Sequence, residues 1–163
     1  MKAFNSLPPG ELEADLLAVC AVPTWAAAVA AGRPYPSREA LLSAADAAAG
    51  ALSWPEVLAG LSAHPRIGER ARGDSKEAAW SRREQATAAA GGAAAELIEA
   101  NRAYEEKFGH VFLIFASGKT QEEILAAARE RLDNDEETER RVVAGELRKI
   151  ATLRLERLID GLG

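Results

Sequence analysis

Helix-starting signals recur along the chain, and they constrain its fold more than any other feature. A serine, threonine or aspartate followed three residues later by glutamate can form a capping box, which satisfies free N–H groups at a helix start. Pairs of this kind that also precede a predicted helix are Ser53 with Glu56, Asp74 with Glu77, and Thr120 with Glu123. Alanine and leucine, which favour helix, are abundant, and β-branched residues are sparse. The sequence therefore predicts an all-α fold.

Glycine and proline separate the predicted helices. The boundaries are about 9–20, a helix from Pro23 that carries Trp25, 37–49, 53–61, a helix from Asp74, one ending at Phe108 before Gly109, 120–132 and 135–160. Gly91-Gly92 interrupts the helix from Asp74 or divides it from the next, and 64–73 is expected to be irregular. Without a repeat or a long linker, residues 1–163 are predicted to form a single compact helical domain of about seven to eight helices.

One apolar, β-favouring run, His110–Ala116, departs from the helical pattern. It is too short to identify as a helix, and the chain offers no second run as a partner strand. We therefore predict a buried segment that is either extended or a short helix.

Composition excludes several classes of function. Acidic and basic residues are interspersed, the formal net charge is −5, and no basic stripe suits a phosphate backbone, so no nucleic-acid partner is expected. No apolar run approaches the length that spans a bilayer, and the first residues lack the apolar core of a signal peptide. The single cysteine, Cys20, is expected to be a small buried core residue. These features predict a cytoplasmic protein without a membrane partner.

The most informative short motif is His64–Arg70, which begins with a histidine directly before Pro65. A residue before proline is disfavoured in a helix, so His64 is expected just beyond the helix that ends near Leu61. An imidazole titrates near neutral pH, and at this position it can be aimed at a cavity to move protons. A capping or surface histidine is the alternative that this position leaves open.

An arginine interrupts the apolar stripe of the last helix. The stripe consists of Val143, Leu147, Ile150 and Leu158, and Arg154 lies on it between the last two. A buried arginine without a partner costs several kcal/mol, so a protein carboxylate or an anionic ligand should pair with Arg154. A guanidinium binds carboxylates as a planar fork, which makes a ligand carboxylate a natural partner. The alternatives are a buried ion pair and an arginine whose head reaches water.

Two earlier helices carry further candidate polar residues. The spacing of Ser81, Glu84 and Gln85 places them on one helix face, within reach of one ligand, although a solvated face shows the same spacing. Asn101 interrupts the next apolar stripe, which is formed by Leu97, Tyr104 and Phe108. It is either a hydrogen-bonded core amide or a donor in a pocket.

Taken in order, these motifs resemble those of the 2-oxo-4-hydroxy-4-carboxy-5-ureidoimidazoline (OHCU) decarboxylases. The matching blocks are Phe4–Pro8, Arg33–Tyr35, His64–Gly68, Ser81–Gln85, Asn101–Gly118 and Lys149–Leu155. The resemblance extends from Phe4 to about Leu158, and several ordered blocks are more specific than any one block.

The resemblance implies a cofactor-free, all-α homodimeric enzyme of purine catabolism, with residues 1–163 as one decarboxylase-like domain. Such an enzyme is a carboxy-lyase that acts on a small-molecule substrate. It removes CO₂ from OHCU, which is formed from urate in the ureide pathway, and yields (S)-allantoin as the final step of urate-to-allantoin conversion. The resemblance implies no metal.

By position, the resemblance assigns His64, Glu84 and Arg154 as catalytic residues. It further implies substrate contacts from Pro65, Ser81, Gln85, Asn101 and the main chain near Ile114. We expect His64 to be a general acid–base and Arg154 to stabilise developing negative charge. Glu84 is expected to accept N–H bonds from the substrate. Delivery of the final proton by His64 or by Glu84 is compatible with the sequence.

Two other functions compete with this hypothesis. A metal site would need His64, Glu84 and His110 as ligands, but their spacing is not that of a metal motif. A non-enzymatic helical interaction module would not require polar residues from three separate segments on faces that should be apolar. Both alternatives are therefore weaker than the decarboxylase hypothesis.

Overall fold

The computed structural model describes residues 1–64, 76–84 and 93–163, and these ranges contain nine α-helices and no strand. The helices are α1 (Lys2–Ser6), α2 (Pro9–Val19), α3 (Pro23–Ala31), α4 (Arg38–Gly50), α5 (Trp54–Leu61), α6 (Lys76–Glu84), α7 (Ala94–Phe108), α8 (Gln121–Arg131) and α9 (Glu136–Gly161). Eight of the nine have seven or more residues. The all-α prediction is confirmed.

Side-chain caps begin several helices where the sequence predicts them. At α5, the Ser53 N–H donates to Glu56 Oε1 at 3.0 Å and the Glu56 N–H donates to Ser53 Oγ at 3.4 Å. The corresponding distances between Thr120 and Glu123 at α8 are 3.3 and 3.2 Å. These reciprocal bonds confirm two predicted capping boxes. Asp74 and Gly91-Gly92 lie outside the described residues.

A short helix at the N-terminus, α1, was not predicted, because five residues are too few to show an apolar period. Phe4 anchors α1 with an exposed fraction of 1%. Asn5 and Tyr35 exchange two hydrogen bonds of 2.9 Å, and Arg33 Nη1 donates to the Leu7 carbonyl at 2.8 Å. Residues between α3 and α4 therefore secure α1.

The chain divides into two compact units, the terminal unit (residues 1–60 and 148–163) and the central unit (residues 61–147). The core of the terminal unit includes Leu12, Leu16, Trp25, Leu41 and Leu155. Trp25 Nε1 donates to the Ala45 carbonyl at 3.0 Å, which joins α3 to α4. Cys20 is buried as predicted, and burial raises the pKa of its thiol to about 11.

The core of the central unit is formed by α7, α8 and the apolar run after α7. Its buried members are Ala93, Leu97, Ala100, Tyr104, Phe112, Ile114, Ala116, Ile124, Leu125 and Ala128. Gly109 ends α7 in the left-handed conformation, with φ of 79°, where glycine has no steric penalty. Residues 111–116 form neither helix nor strand. The prediction of a buried segment is confirmed, and its short-helix alternative is wrong.

Within the described ranges, no helix combines the length and the apolar character needed to cross a membrane.

Candidate active site

His64 lies where the sequence predicts it, just beyond a helix. Helix α5 ends at Leu61, and the His64 main-chain N–H donates to the Leu61 carbonyl at 3.0 Å. Its side chain is half-buried. The rest of the His64–Arg70 motif lies outside the described residues, so the contact expected from Pro65 stays a prediction.

Helix α6 positions Ser81 and Glu84. Their spacing of three places both side chains on one helix face, where their exposed fractions are 3% and 7%. A solvated face is therefore the wrong interpretation of these two residues. Gln85, the third predicted member of the face, lies outside the described residues.

Asn101 lies within the buried stripe of α7. Its neighbours on the stripe, Leu97 and Tyr104, are buried with it, and Phe108 packs partly buried against the same core. The predicted shared face is confirmed. Whether Asn101 contacts a substrate stays a prediction.

Arg154 is among the largest fully buried side chains, with an exposed fraction of 1%. The other members of its stripe, Val143, Leu147, Ile150 and Leu158, are also buried. An arginine whose head reaches water is therefore the wrong interpretation. The positive charge of Arg154 lowers the pKa of the Cys20 thiol, although less than burial raises it.

The predicted site residues divide between the two units. Arg154 belongs to the terminal unit, and the described site residues of the central unit carry an imidazole, a carboxylate, a hydroxyl and an amide, together with a main-chain position. Those residues of the central unit are His64, Glu84, Ser81, Asn101 and Ile114.

A buried ionic network in the central unit was missed by the sequence analysis. Arg131 Nε donates to both carboxylate oxygens of Glu139, at 2.8 and 3.0 Å. The Tyr104 hydroxyl donates to Glu139 Oε2 at 2.9 Å. Burial raises the pKa of Tyr104, so its hydroxyl stays a neutral donor around neutral pH. The carboxylate, which is fully buried, therefore has two partners that satisfy it.

The sequence carries a signal for this network. Glu139 is four residues before Val143 and Glu146 is three after it, so both carboxylates lie on the stripe that contains Arg154. A charge on an apolar stripe, the feature that identifies Arg154, therefore occurs at both of these positions as well.

The same side chains hold the run at residues 111–116. Arg131 Nη1 donates to the Leu113 carbonyl at 2.7 Å, and the guanidinium lies 4.5 Å from the centre of the Phe112 ring. From α9, Glu146 Oε1 accepts a hydrogen bond from the Phe115 N–H at 3.2 Å. The peptide groups on both sides of Ile114 are thus bonded to charged side chains.

His110 belongs to an aromatic cluster. Its ring lies 5.5 Å from the Tyr104 ring, edge to face, and 6.2 Å from the Phe108 ring. Across the described residues, which include His64, Glu84 and His110, no group of three or more His, Cys, Asp or Glu side chains is arranged to hold a metal ion.

Comparison with known proteins identifies the family. The family model described as OHCU decarboxylase matches residues 5–156. The chain belongs to the OHCU decarboxylase family. A 2-oxo-4-hydroxy-4-carboxy-5-ureidoimidazoline decarboxylase from Amia calva is 34% identical over 146 residues, which are 85% of this chain and 81% of that protein.

A longer relative and a solved structure agree with this assignment. The uric acid degradation bifunctional protein TTL of Arabidopsis thaliana is 36% identical over 147 residues, but this chain spans only 45% of its length. The crystal structure of OHCU decarboxylase in the presence of (S)-allantoin has 33% sequence identity and a TM-score of 0.74, with 88% of this chain and 96% of that chain covered.

Proposed function

We propose that this chain catalyses the decarboxylation of OHCU to (S)-allantoin, as a carboxy-lyase in urate degradation. The match of the OHCU decarboxylase family over residues 5–156 is the observation that carries the proposal. The Amia calva relative is named for the same reaction, and the similar solved structure was obtained with (S)-allantoin present. The substrate is a small, anionic heterocycle with a ureido arm.

In this proposal, His64, Glu84 and Arg154 are the catalytic residues. His64 contacts the substrate carboxylate and the adjacent hydroxyl as a general acid–base, a role that typically contributes about 10²–10⁴-fold to rate. The buried Arg154 holds substrate oxygens and stabilises the charge that develops as CO₂ leaves. The electron pair of the C–C bond that breaks as CO₂ leaves moves into the adjacent C=N bond of the substrate.

Glu84 accepts N–H bonds from the ureido arm or the ring. Its burial beside Ser81 on α6 supports this role, because a buried carboxylate binds N–H donors strongly where water does not compete. Ser81, Gln85, Asn101, Pro65 and the main chain near Ile114 orient the substrate. A fixed orientation delivers the final proton, from His64 or Glu84, to one face of the ring.

We further propose that residues 1–163 act as one decarboxylase domain in a cytoplasmic homodimer. The sequence resemblance supports the dimer, and the single buried cysteine is compatible with a reducing compartment. Light scattering should give twice the chain mass of 17.3 kDa, and the mass of a single chain would contradict the dimer. Fractionation of host cells should recover the protein with cytoplasmic markers.

A coupled assay tests the reaction. Urate, uricase and hydroxyisourate hydrolase generate the unstable substrate in the cuvette, and circular dichroism follows optically active allantoin. Wild-type protein should accelerate its appearance well beyond the spontaneous rate. A rate equal to that without the protein, with the coupling enzymes shown to be active, would reject the proposal.

Matched variants test the site residues. His64→Asn should abolish turnover without unfolding the protein, whereas His110→Asn removes the other imidazole of the chain and should keep turnover.

Arg154→Lys should reduce activity strongly because lysine lacks the planar fork. Its control is Arg148→Lys, in a half-exposed ion pair on the same helix. Near wild-type turnover in His64→Asn would reject that assignment, and unchanged kinetics in Arg154→Lys would make Arg154 structural.

A further inference from the structure

We propose that Arg131 and Glu146 are positioning residues that orient the main-chain N–H and C=O groups of Ile114 for substrate binding. This inference rests on the proposed function, in which the main chain near Ile114 contacts the substrate. Neither side chain needs to touch the substrate for this role. Each acts through the peptide group that it holds.

The Arg131 contact sets the direction of the Ile114 N–H. A trans peptide is planar, and its C=O and N–H groups point in opposite directions. Among the described residues, the cis peptide bond is Arg33-Pro34, so the peptide between Leu113 and Ile114 is trans. Arg131 Nη1 bonds the Leu113 carbonyl at 2.7 Å, and the Ile114 N–H therefore points away from Arg131.

The Glu146 contact sets the direction of the Ile114 carbonyl by the same geometry. The Phe115 N–H donates to Glu146 Oε1 at 3.2 Å, and this N–H shares its peptide plane with the Ile114 carbonyl. That carbonyl therefore points away from Glu146. Two charged side chains, one from α8 and one from α9, thus fix both peptide planes of one residue.

These side-chain bonds matter because residues 111–116 form neither helix nor strand. In a helix or sheet, the main-chain ladder would orient each peptide group. In this run, bonds from side chains must do so, and bonds to charged groups are the stronger kind.

The Arg131 guanidinium is itself held in place. Glu139 accepts two bonds from its Nε, Tyr104 bonds Glu139, and the guanidinium lies over the Phe112 ring. Its orientation is therefore set before any substrate binds. Polar groups fixed in advance need no reorganisation when a ligand arrives, which favours both binding and rate.

A matched pair of variants at Glu146 tests the inference in the coupled assay. Glu146→Met keeps the length of the side chain but removes the acceptor for the Phe115 N–H, whereas Glu146→Gln keeps an acceptor oxygen. A main-chain shift of about 1 Å can cost on the order of 10²-fold in rate. We expect kcat/KM to fall on that order in Glu146→Met, with Glu146→Gln much closer to wild type. Glu137→Met, at an exposed position of α9, should match wild type.

Two further measurements separate positioning from loss of fold. Thermal unfolding should give similar midpoints for Glu146→Met and Glu146→Gln, and the Kd for (S)-allantoin should rise only in Glu146→Met.

A variant of the other positioning residue, Arg131→Lys, keeps a charge beside Glu139 but cannot bond Glu139 and the Leu113 carbonyl as a fork. It should lose activity to a similar extent.

The outcomes distinguish the inference from the proposed function. A wild-type protein that does not accelerate allantoin formation would reject the proposed function itself. Active wild-type protein, with Glu146→Met and Arg131→Lys both near its kcat/KM, would overturn the positioning role. Equal losses in Glu146→Met and Glu146→Gln would also overturn it, because the retained acceptor should rescue the orientation.

Discussion

Two of the arginine–carboxylate pairs that involve helix α9 have similar N–O distances but different surroundings. In the central unit, Arg131 Nε lies 2.8 and 3.0 Å from the Glu139 oxygens, and the side chains are 8% and 1% exposed. In the terminal unit, Arg148 lies 3.0 and 2.8 Å from the Asp46 oxygens, and the side chains are 41% and 47% exposed. Distance alone therefore does not distinguish the pairs; burial does.

The difference in burial changes what each pair contributes. Breaking a buried pair leaves an uncompensated charge away from water, which typically costs about 3–5 kcal/mol, whereas an exposed pair contributes about 0–1 kcal/mol. Only the buried pair also holds a main-chain carbonyl, that of Leu113. The exposed pair adds a small stabilisation, and the buried pair organises the run that carries Ile114.

Removing the buried carboxylate should give the largest effect on stability. Glu139→Ala leaves the Arg131 charge buried without its carboxylate, and we expect a loss of about 3–5 kcal/mol in the free energy of unfolding. Urea denaturation followed by circular dichroism measures it. Glu137→Ala, an exposed glutamate of α9, should change the midpoint little. A loss below about 1 kcal/mol in the free energy of unfolding for Glu139→Ala would show that the buried pair contributes no more to stability than an exposed pair does.

Removing the neutral member of the buried network should give an intermediate effect. Tyr104→Phe keeps the ring in the core and deletes the hydroxyl that bonds Glu139 at 2.9 Å. A hydrogen bond to a charged group contributes about 1.5–3 kcal/mol, so a loss in this range is expected in the same urea experiment. An unchanged midpoint would show that Arg131 alone satisfies the buried carboxylate.

The exposed pair should give the smallest effect and a defined pH dependence. The hydrogen bond from Arg148 lowers the pKa of Asp46 below its ordinary value of 3.8. A lowered folded-state pKa adds stability above pH 3.8, and this stability is lost as the pH falls through the lowered value. Solvent screening keeps it below about 1 kcal/mol.

Asp46→Asn tests that dependence by removing the titrating group. The difference in unfolding midpoint between wild type and Asp46→Asn should be small at pH 7 and should vanish in strong acid. A difference that grows as the pH falls would contradict the sign. A difference of several kcal/mol in the free energy of unfolding at pH 7 would show that this pair behaves as a buried one.

Local signals predicted most of the fold. The Ser53–Glu56 and Thr120–Glu123 boxes identify helix starts because the bonds that they form lie within a few residues. Helix α1 was missed because its stability depends on distant partners: Asn5 bonds Tyr35, thirty residues away. No local pattern reports such a contact.

At the candidate site, the burial of side chains could be predicted from the sequence better than the groups that they contact. The spacing of Ser81 and Glu84 identified their shared face, and the stripe around Arg154 identified its burial. The partners of buried charged side chains were harder to predict, because the Arg131–Glu139 pair joins two helices and depends on how these helices pack. Spacing along one helix gives a face but not the neighbour across from it. The roles proposed for the site residues come from the family resemblance, because spacing along a helix does not assign them.

The enantiomeric composition of the product reports whether this chain protonates one face of the substrate. In the coupled system, chiral chromatography would separate the allantoin formed with wild-type protein, with His64→Asn and without either. We expect (S)-allantoin in large excess with wild-type protein, and a racemate in the other two samples because only the spontaneous reaction occurs there. A racemate with folded wild-type protein, while the coupling enzymes are active, would contradict a decarboxylase that protonates one face of its substrate.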